Sequence, residues 1–393
     1  MQIPERFSDL PDYAFPRLRA LLGDTAPGGD VVAMSIGEPR HPFPDWVADV
    51  IAGAVAEFGN YPPNEGTPEL LGAISAWIKQ RHGVDVAPER ILTANGTRET
   101  LFAATLGLCP EEKNGQKPLV LIPNPFYQVY SVGALAAGAE PFYVPATRDT
   151  GFLPDYNALP KHILDRTAIL FICSPSNPQG AVASRAYLTD LLDLAEQHDF
   201  RVFADECYSE IYRDTPPPGL LSVAAEAGAD PERVVTFNSL SKRSSVPGLR
   251  SGFAAAGPET MVQMRRMRSY SGAPLPAPLQ RVAERLWADE DHVKASRDMY
   301  VKKYDVANRV FDGVDGCEAP EAGFFLWLPV DDDEKATLKL WQQTGVRVLP
   351  GAYLGRETAD GNAGRGYIRA AMITADEAEL ERGLTALRDC LYR

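Results

Sequence analysis

The chain's 393 residues suffice for two to three domains of about 150 residues each with a sizeable core. With 45% hydrophobic and 23% charged residues it has the balance of an ordinary soluble globular protein. A formal net charge of −14 argues against a nucleic-acid or anionic-membrane partner, which wants a basic face, but leaves small anionic substrates open, because a few arginines set the field inside a pocket.

Met1 to Arg6 lacks the apolar core of a signal sequence, and no run approaches 18 apolar residues. The five cysteines (Cys109, Cys173, Cys207, Cys317, Cys390) are scattered without a C-x-x-C pair, which fits reduced thiols and not a disulfide frame or a metal site. A cytoplasmic protein is expected. The proline-rich start, residues 1–45 with Ser35-Ile-Gly37-Glu38-Pro39, is expected to pack against a C-terminal domain. Helical spacing follows in Leu70, Ile74, Trp77 and Ile78, and Asn95-Gly96-Thr97 precedes a helix-like run from Arg98 to Leu108. Backbone N–H groups at that helix start suit an anion, with Gly96 permitting close approach and Thr97 adding a hydroxyl. Alone, it is only a capped helix.

Strand-like apolar runs then alternate with helical ones: Leu119–Ile122, Pro141–Val144, Ala168–Cys173, Arg201–Asp205, Val234–Asn238 and Gly252–Ala255, with helical spacing at Leu188, Leu191, Leu192 and Ala195. The alternation predicts an α/β fold with a large, mostly parallel sheet over 46–286. After about Leu286 the texture changes. A polar helix from Asp291 to Phe311, then Phe324–Leu328, a helix near Leu338–Gln343, Val346–Leu349, Tyr367–Met372 and a closing amphipathic helix predict a smaller α+β domain over 287–393.

Chemistry gathers at the ends of the apolar runs. Asp205 ends one, at the strand end where open α/β sheets bind ligands, and Tyr208 follows three residues on. Asn177 lies in Ser174-Pro-Ser-Asn-Pro-Gln-Gly180. Lys242 stands in Ser239-Leu-Ser241-Lys242, with Arg250 eight residues later as a fixed cation able to grip two phosphate oxygens. An amine in that setting suits imine chemistry if burial and nearby cations lower its pKa. Arg369 sits inside the apolar run Tyr367-Ile-Arg-Ala370, a poor place for a merely solvated charge.

These motifs resemble the class I/II, fold-type I aminotransferases, which use pyridoxal 5′-phosphate, and the resemblance runs from Ser35 to Arg369. It implies that Lys242 bonds the cofactor's aldehyde and later acts as the base. Asp205 would hold the pyridine nitrogen protonated, Tyr208 and Asn177 would reach the phenolic oxygen, and Tyr127 would stack on the ring. Gly96, Thr97, Ser239, Ser241 and Arg250 would hold the phosphate. Arg369 would clamp the substrate α-carboxylate, with Asn177 and Gly37 near it. Tyr61 would reach the partner subunit's phosphate, which makes the active unit a homodimer with composite sites.

Asn95-Gly-Thr-Arg98-Glu99, Asn124-Pro-Phe-Tyr127, Asp205–Tyr212 and Ser239–Arg250 are similar to the succinyldiaminopimelate branch of the class. This implies amino transfer between glutamate or 2-oxoglutarate and N-succinyl-2-amino-6-oxopimelate, on the diaminopimelate route to lysine. Arg98 departs from the small residue frequent at its position, and is either a second phosphate ligand or a partner for a distal substrate carboxylate. Arg40, Arg243 and Arg268 remain unplaced; each reads alone as a solvated surface charge, and Arg40 and Arg243 rank behind Arg98 for the distal carboxylates. Other keto acids (aromatic, branched-chain) and a β-lyase stay open. A cofactor-sensing regulatory module is the remote alternative, because such proteins carry a helix-turn-helix domain ahead of the fold.

Overall fold

The computed structural model describes residues 4–8, 10 and 12–393; of the segment expected to pack as 1–45, residues 1–3, 9 and 11 lie outside the described residues. Among the described residues twelve strands follow in chain order: β1 Val32–Ala33, β2 Ile91–Ala94, β3 Leu119–Asn124, β4 Glu140–Pro145, β5 Thr167–Cys173, β6 Arg201–Asp205, β7 Val234–Ser239, β8 Gly252–Ala256, β9 Phe325–Pro329, β10 Val346–Arg347, β11 Leu349–Pro350 and β12 Tyr367–Ala371.

Seven of them make one sheet in the order β2-β8-β7-β6-β5-β3-β4. All its pairings are parallel except those of β8 with β7 and β2. The central strands are buried along their lengths, as expected where helices cover both faces. The register aligns Cys173 with Asp205 and Asp205 with Phe237, so β5, β6 and β7 end side by side. The turns that follow carry Asn177, Tyr208 and Ser239–Lys242, and all of them meet at one sheet edge. Helix Pro68–His82 starts on Thr67, whose hydroxyl accepts the Leu70 N–H, and stops at Gly83 in the left-handed region (φ 72°). Its Trp77 packs on Trp287 and Phe253, with ring centroids 4.8 and 6.0 Å away.

A second core forms around the antiparallel sheet β11-β12-β9 and the helices Asp291–Val310, Asp333–Thr344 and Glu377–Leu391. Val32 and Met34 belong to this core, and β1 pairs with β10. The expected single strand Val346–Leu349 is two. Val346–Arg347 pairs with the N-terminal β1, whereas Leu349–Pro350 crosses to β12. One apolar run therefore serves two sheets, which periodicity alone does not show. The short β2 also escaped prediction: only four residues long, it follows directly on the turn Pro88–Arg90.

Candidate active site

A cavity of about 290 Å³ opens at the shared end of β5, β6 and β7, and residues of the N-terminal segment and of β9 and β12 complete its wall. At its floor Asp205 is 4% exposed. The Tyr130 hydroxyl donates to its Oδ2 at 2.7 Å and the Cys207 N–H to its Oδ1 at 3.3 Å. Burial pushes this carboxyl up, while the bonds from Tyr130 and Cys207 and the Lys242 charge pull the other way.

Lys242 lies on the short helix Leu240–Arg243, which begins at Ser239, whose hydroxyl accepts the Ser241 N–H. Its Nζ donates to the Gly37 carbonyl. Burial pushes the amine down to about 8; Arg369 and Arg250 act in the same direction, and Cys207 and Glu38 oppose them. Gly37 is closely backed, since a Cβ there would fall 2.6 Å from Phe325. Tyr208 is buried between Phe324 and Phe325, with centroids 5.4 and 5.7 Å away.

Arg369 enters from β12. Its Nη1 donates to Asn177 Oδ1 and its Nη2 to the Ser35 carbonyl, both at 2.8 Å, and its guanidinium lies over the Phe325 ring at 4.2 Å. Burial pushes it down to about 10. Nε is buried without a hydrogen-bond partner among the described residues. A desolvated fork whose bonds are to neutral oxygens suits an incoming carboxylate.

Opposite stand donors of the kind that suit an anion. Gly96 (φ 80°, ψ 160°) leads into helix Thr97–Leu108. A Cβ on Gly96 would fall 2.4 Å from Arg250 Nη2, so glycine lets the guanidinium close on the backbone. Arg250 donates to the carbonyls of Asn95 (3.1 Å) and Pro247 (3.0 Å). Ser239 Oγ donates to the Ser251 carbonyl at 3.1 Å and lies 3.0 Å from Ser241 Oγ, and Thr97 Oγ1 is 3.1 Å from Cys207 Sγ. Tyr127 meets Tyr130 edge-on at 5.7 Å, and its hydroxyl accepts Arg98 Nε at 2.8 Å.

Gly37, Thr97, Arg98, Tyr127, Asn177, Asp205, Tyr208, Ser239, Ser241, Lys242, Arg250 and Arg369 thus line one cavity, with Gly96 immediately behind it. Tyr61 does not join them and is fully exposed. Arg40 is exposed and does not line the cavity. The surface reading of Arg243 and Arg268 needs correction, as does the nomination of Arg243 for substrate. Arg243 is 2% exposed, pairs with Glu290 and lies against Trp77 and Trp287 away from the cavity. Arg268 is 5% exposed and pairs with Glu99. Their neighbours come from distant segments, so local sequence could not reveal them. Sequence reasoning also missed Tyr130, Cys207, Tyr13 and Phe325. Tyr130 had a faint signal, three residues after Tyr127 at helical spacing; Tyr13 had none.

The family described as "Aminotransferase class I and II" matches residues 29–387. An LL-diaminopimelate aminotransferase of Dehalococcoides mccartyi is 32% identical over 398 residues, covering 98% of each chain. A 4-dedimethylamino-4-oxo-anhydrotetracycline transaminase of Streptomyces rimosus is 31% identical, covering 94% of this chain and 97% of its own. Among solved structures, an aminotransferase from Neisseria meningitidis Z2491 superimposes with a TM-score of 0.94 at 35% identity over the whole of both chains.

Proposed function

The chain belongs to the aminotransferase class I and II family, whose members use pyridoxal phosphate, and from this we propose that it moves an amino group between glutamate or 2-oxoglutarate and N-succinyl-2-amino-6-oxopimelate. The observation that carries the reading is the convergence of Lys242, Asp205 and Arg369 on one cavity. The residues fit the cofactor. Gly96, Thr97, Ser239, Ser241 and Arg250 offer donors and a permanent charge to a phosphate, and Asp205 offers a buried acceptor to a protonated ring nitrogen.

When bound, the cofactor supplies a carbonyl carbon and an electron-withdrawing ring that stabilises negative charge at a neighbouring carbon. Lys242 would hold the cofactor at its carbonyl, and its Nζ would be the base that takes the proton from the substrate's Cα. A pKa near 8 leaves a useful fraction of that amine neutral at neutral pH. Asp205 would keep the ring nitrogen protonated, Tyr208 and Asn177 would hold the phenolic oxygen, Tyr127 would cover the ring face, and Arg369 would orient the α-carboxylate with Gly37 beside it. Residues 46–286 form the unit that holds the cofactor, and 287–393 with the N-terminal segment form the unit that carries Arg369. The active form is a cytoplasmic homodimer in which the exposed Tyr61 reaches the partner's phosphate.

The relatives' names support the diaminopimelate skeleton. Arg98 supports a distal anion, because it lines the cavity and its Nη1 has no hydrogen-bond partner among the described residues. The same names favour a second reading, free LL-diaminopimelate as the amino donor. Both are tested in one experiment: load the amino group from glutamate, then follow its transfer to succinylated and unsuccinylated keto acids and to aromatic and branched-chain ones. The succinylated acceptor should win. Arg98 is exposed in the free chain, and if the bound substrate desolvates it, Arg98→Ala should slow the succinylated acceptor by one to two orders of magnitude, as loss of a charge partner shielded from water does, while the glutamate half changes little. Equal loss in both halves would make Arg98 a phosphate ligand. Preference for the unsuccinylated acid would establish the second reading, and elimination without transfer would establish a lyase.

A further inference from the structure

One ion pair, its arginine buried and its glutamate partly so, stands behind Gly96. Glu99 is the third residue of helix Thr97–Leu108. Its Oε2 accepts the Asn95 N–H at 2.8 Å and its Oε1 accepts Arg268 Nη1 at 2.5 Å. Arg268 ends helix Pro258–Arg268 with its side chain 4% exposed. It also donates from Nη2 to the Ala273 carbonyl at 2.7 Å and from Nη1 to the Ser271 carbonyl at 3.4 Å. The loop over the pair has no room to spare, since a Cβ on Gly272 (φ 70°) would fall 1.8 Å from Glu99 Oε1.

Asn95 is therefore held on both sides. Glu99 takes its N–H, and Arg250 donates to its carbonyl at 3.1 Å. The next residue is Gly96, where the backbone turns into the helix. Glu99, at the third helical position, reaches back as in a capping box but one residue further: the N-cap Gly96 gives its own N–H to the Ala94 carbonyl at 2.8 Å, and Glu99 takes the N–H of Asn95 instead. A carboxylate in a first turn suits the helix dipole, yet beside a bound phosphate it would repel. Arg268 removes that conflict by neutralising it in place.

We propose that Glu99 and Arg268 are positioning residues for the cofactor's phosphate: Glu99 fixes the Asn95–Gly96 backbone so that the donors of the helix start face the anion, and Arg268 holds Glu99 and cancels its charge. The inference rests on the phosphate placement proposed above. Its test measures the affinity of cofactor-free protein for pyridoxal phosphate and for pyridoxal, which shares the ring and aldehyde but has no phosphate. Glu99→Gln sets an amide N–H against a guanidinium N–H; it should weaken the phosphorylated ligand about tenfold or more, the usual effect of losing a charged hydrogen bond, and leave pyridoxal unchanged. Arg268→Lys keeps the charge but loses the fork; it should show a smaller loss with the same selectivity, and it decides the matter if Glu99→Gln does not fold. Equal weakening of both ligands, or of neither, while Arg250→Ala weakens pyridoxal phosphate alone, would overturn the inference. An Arg250→Ala variant that loses both ligands alike would overturn the phosphate placement and the inference with it.

Discussion

Lys242 is the residue whose chemistry depends most on its surroundings. Its amine is pushed down to about 8 chiefly by burial, so the folded protein binds a proton there less tightly than the unfolded chain does. Below pH 8 both states are protonated, and folding bears the full cost of the buried charge. Between about pH 8 and the ordinary lysine value the unfolded chain binds more protons, so stability rises with pH over that window. Cofactor-free Lys242→Met is therefore expected to exceed wild type at pH 7 by about 2 kcal/mol, with the amine's contact with the cavity limiting the figure. The excess should vanish by about pH 10.5. Denaturant midpoints at pH 7 and 10.5 decide this, and a gap that does not change with pH would contradict it. The lysine was recognisable in sequence because its neighbours within ten residues, Ser239, Ser241 and Arg250, line the same cavity. Tyr130 was not, because its hydroxyl meets Asp205 across 75 residues.

Local pattern served best where an element has a single job. The strand Arg201–Asp205 forms with the expected bounds, and the helix starting at Thr97 begins one residue before the expected Arg98; each is a buried run with a clear end. Val346–Leu349 divided because its two halves join different partners, a tertiary choice that hydrophobicity does not encode. The helix start at Gly96 offers a test of what glycine does there. Its φ of 80° with ψ of 160° is a region that residues with a Cβ scarcely adopt, costing about 1–3 kcal/mol. Gly96→Ala should lose that stability, and because the Cβ would also displace Arg250, it should weaken cofactor binding more than tenfold. Gly107 lies in the same helix, exposed, with only Met267 in ordinary contact. Gly107→Ala should stabilise by about 0.5–1 kcal/mol. Thermal midpoints and cofactor affinity of the two variants separate backbone strain from helix propensity. Equal effects would mean that Gly96 serves no purpose beyond flexibility.

The whole molecule places the donors, the acceptor and the clamp from two cores around one cavity, and no single segment contains the site. Arg369 is the plainest case. It comes from β12 of the smaller sheet, yet it bonds Asn177 from the loop after β5 and Ser35 from the N-terminal segment. Tyr61 extends this logic beyond one chain. Its ring is fully exposed, and Phe58 and Tyr270 are exposed as well, at 56% and 90%, large aromatic rings left to water that an interface would cover. A two-fold dimer would cover such a surface and lend each Tyr61 to the other subunit's site. Tyr61→Phe and Lys242→Ala each spoil a different contribution, so each homodimer should be strongly impaired. Unfolded together and refolded, the two chains should form hybrids in which one site combines Lys242 of one subunit with Tyr61 of the other. Random pairing makes about half the dimers hybrid and one site in two intact, so about a quarter of wild-type activity should return. The same two proteins mixed without subunit exchange should recover nothing. Failure to recover activity despite demonstrated exchange, or full activity in a monomer by sedimentation, would place Tyr61 outside the site and leave the chain's own donors to hold the phosphate alone.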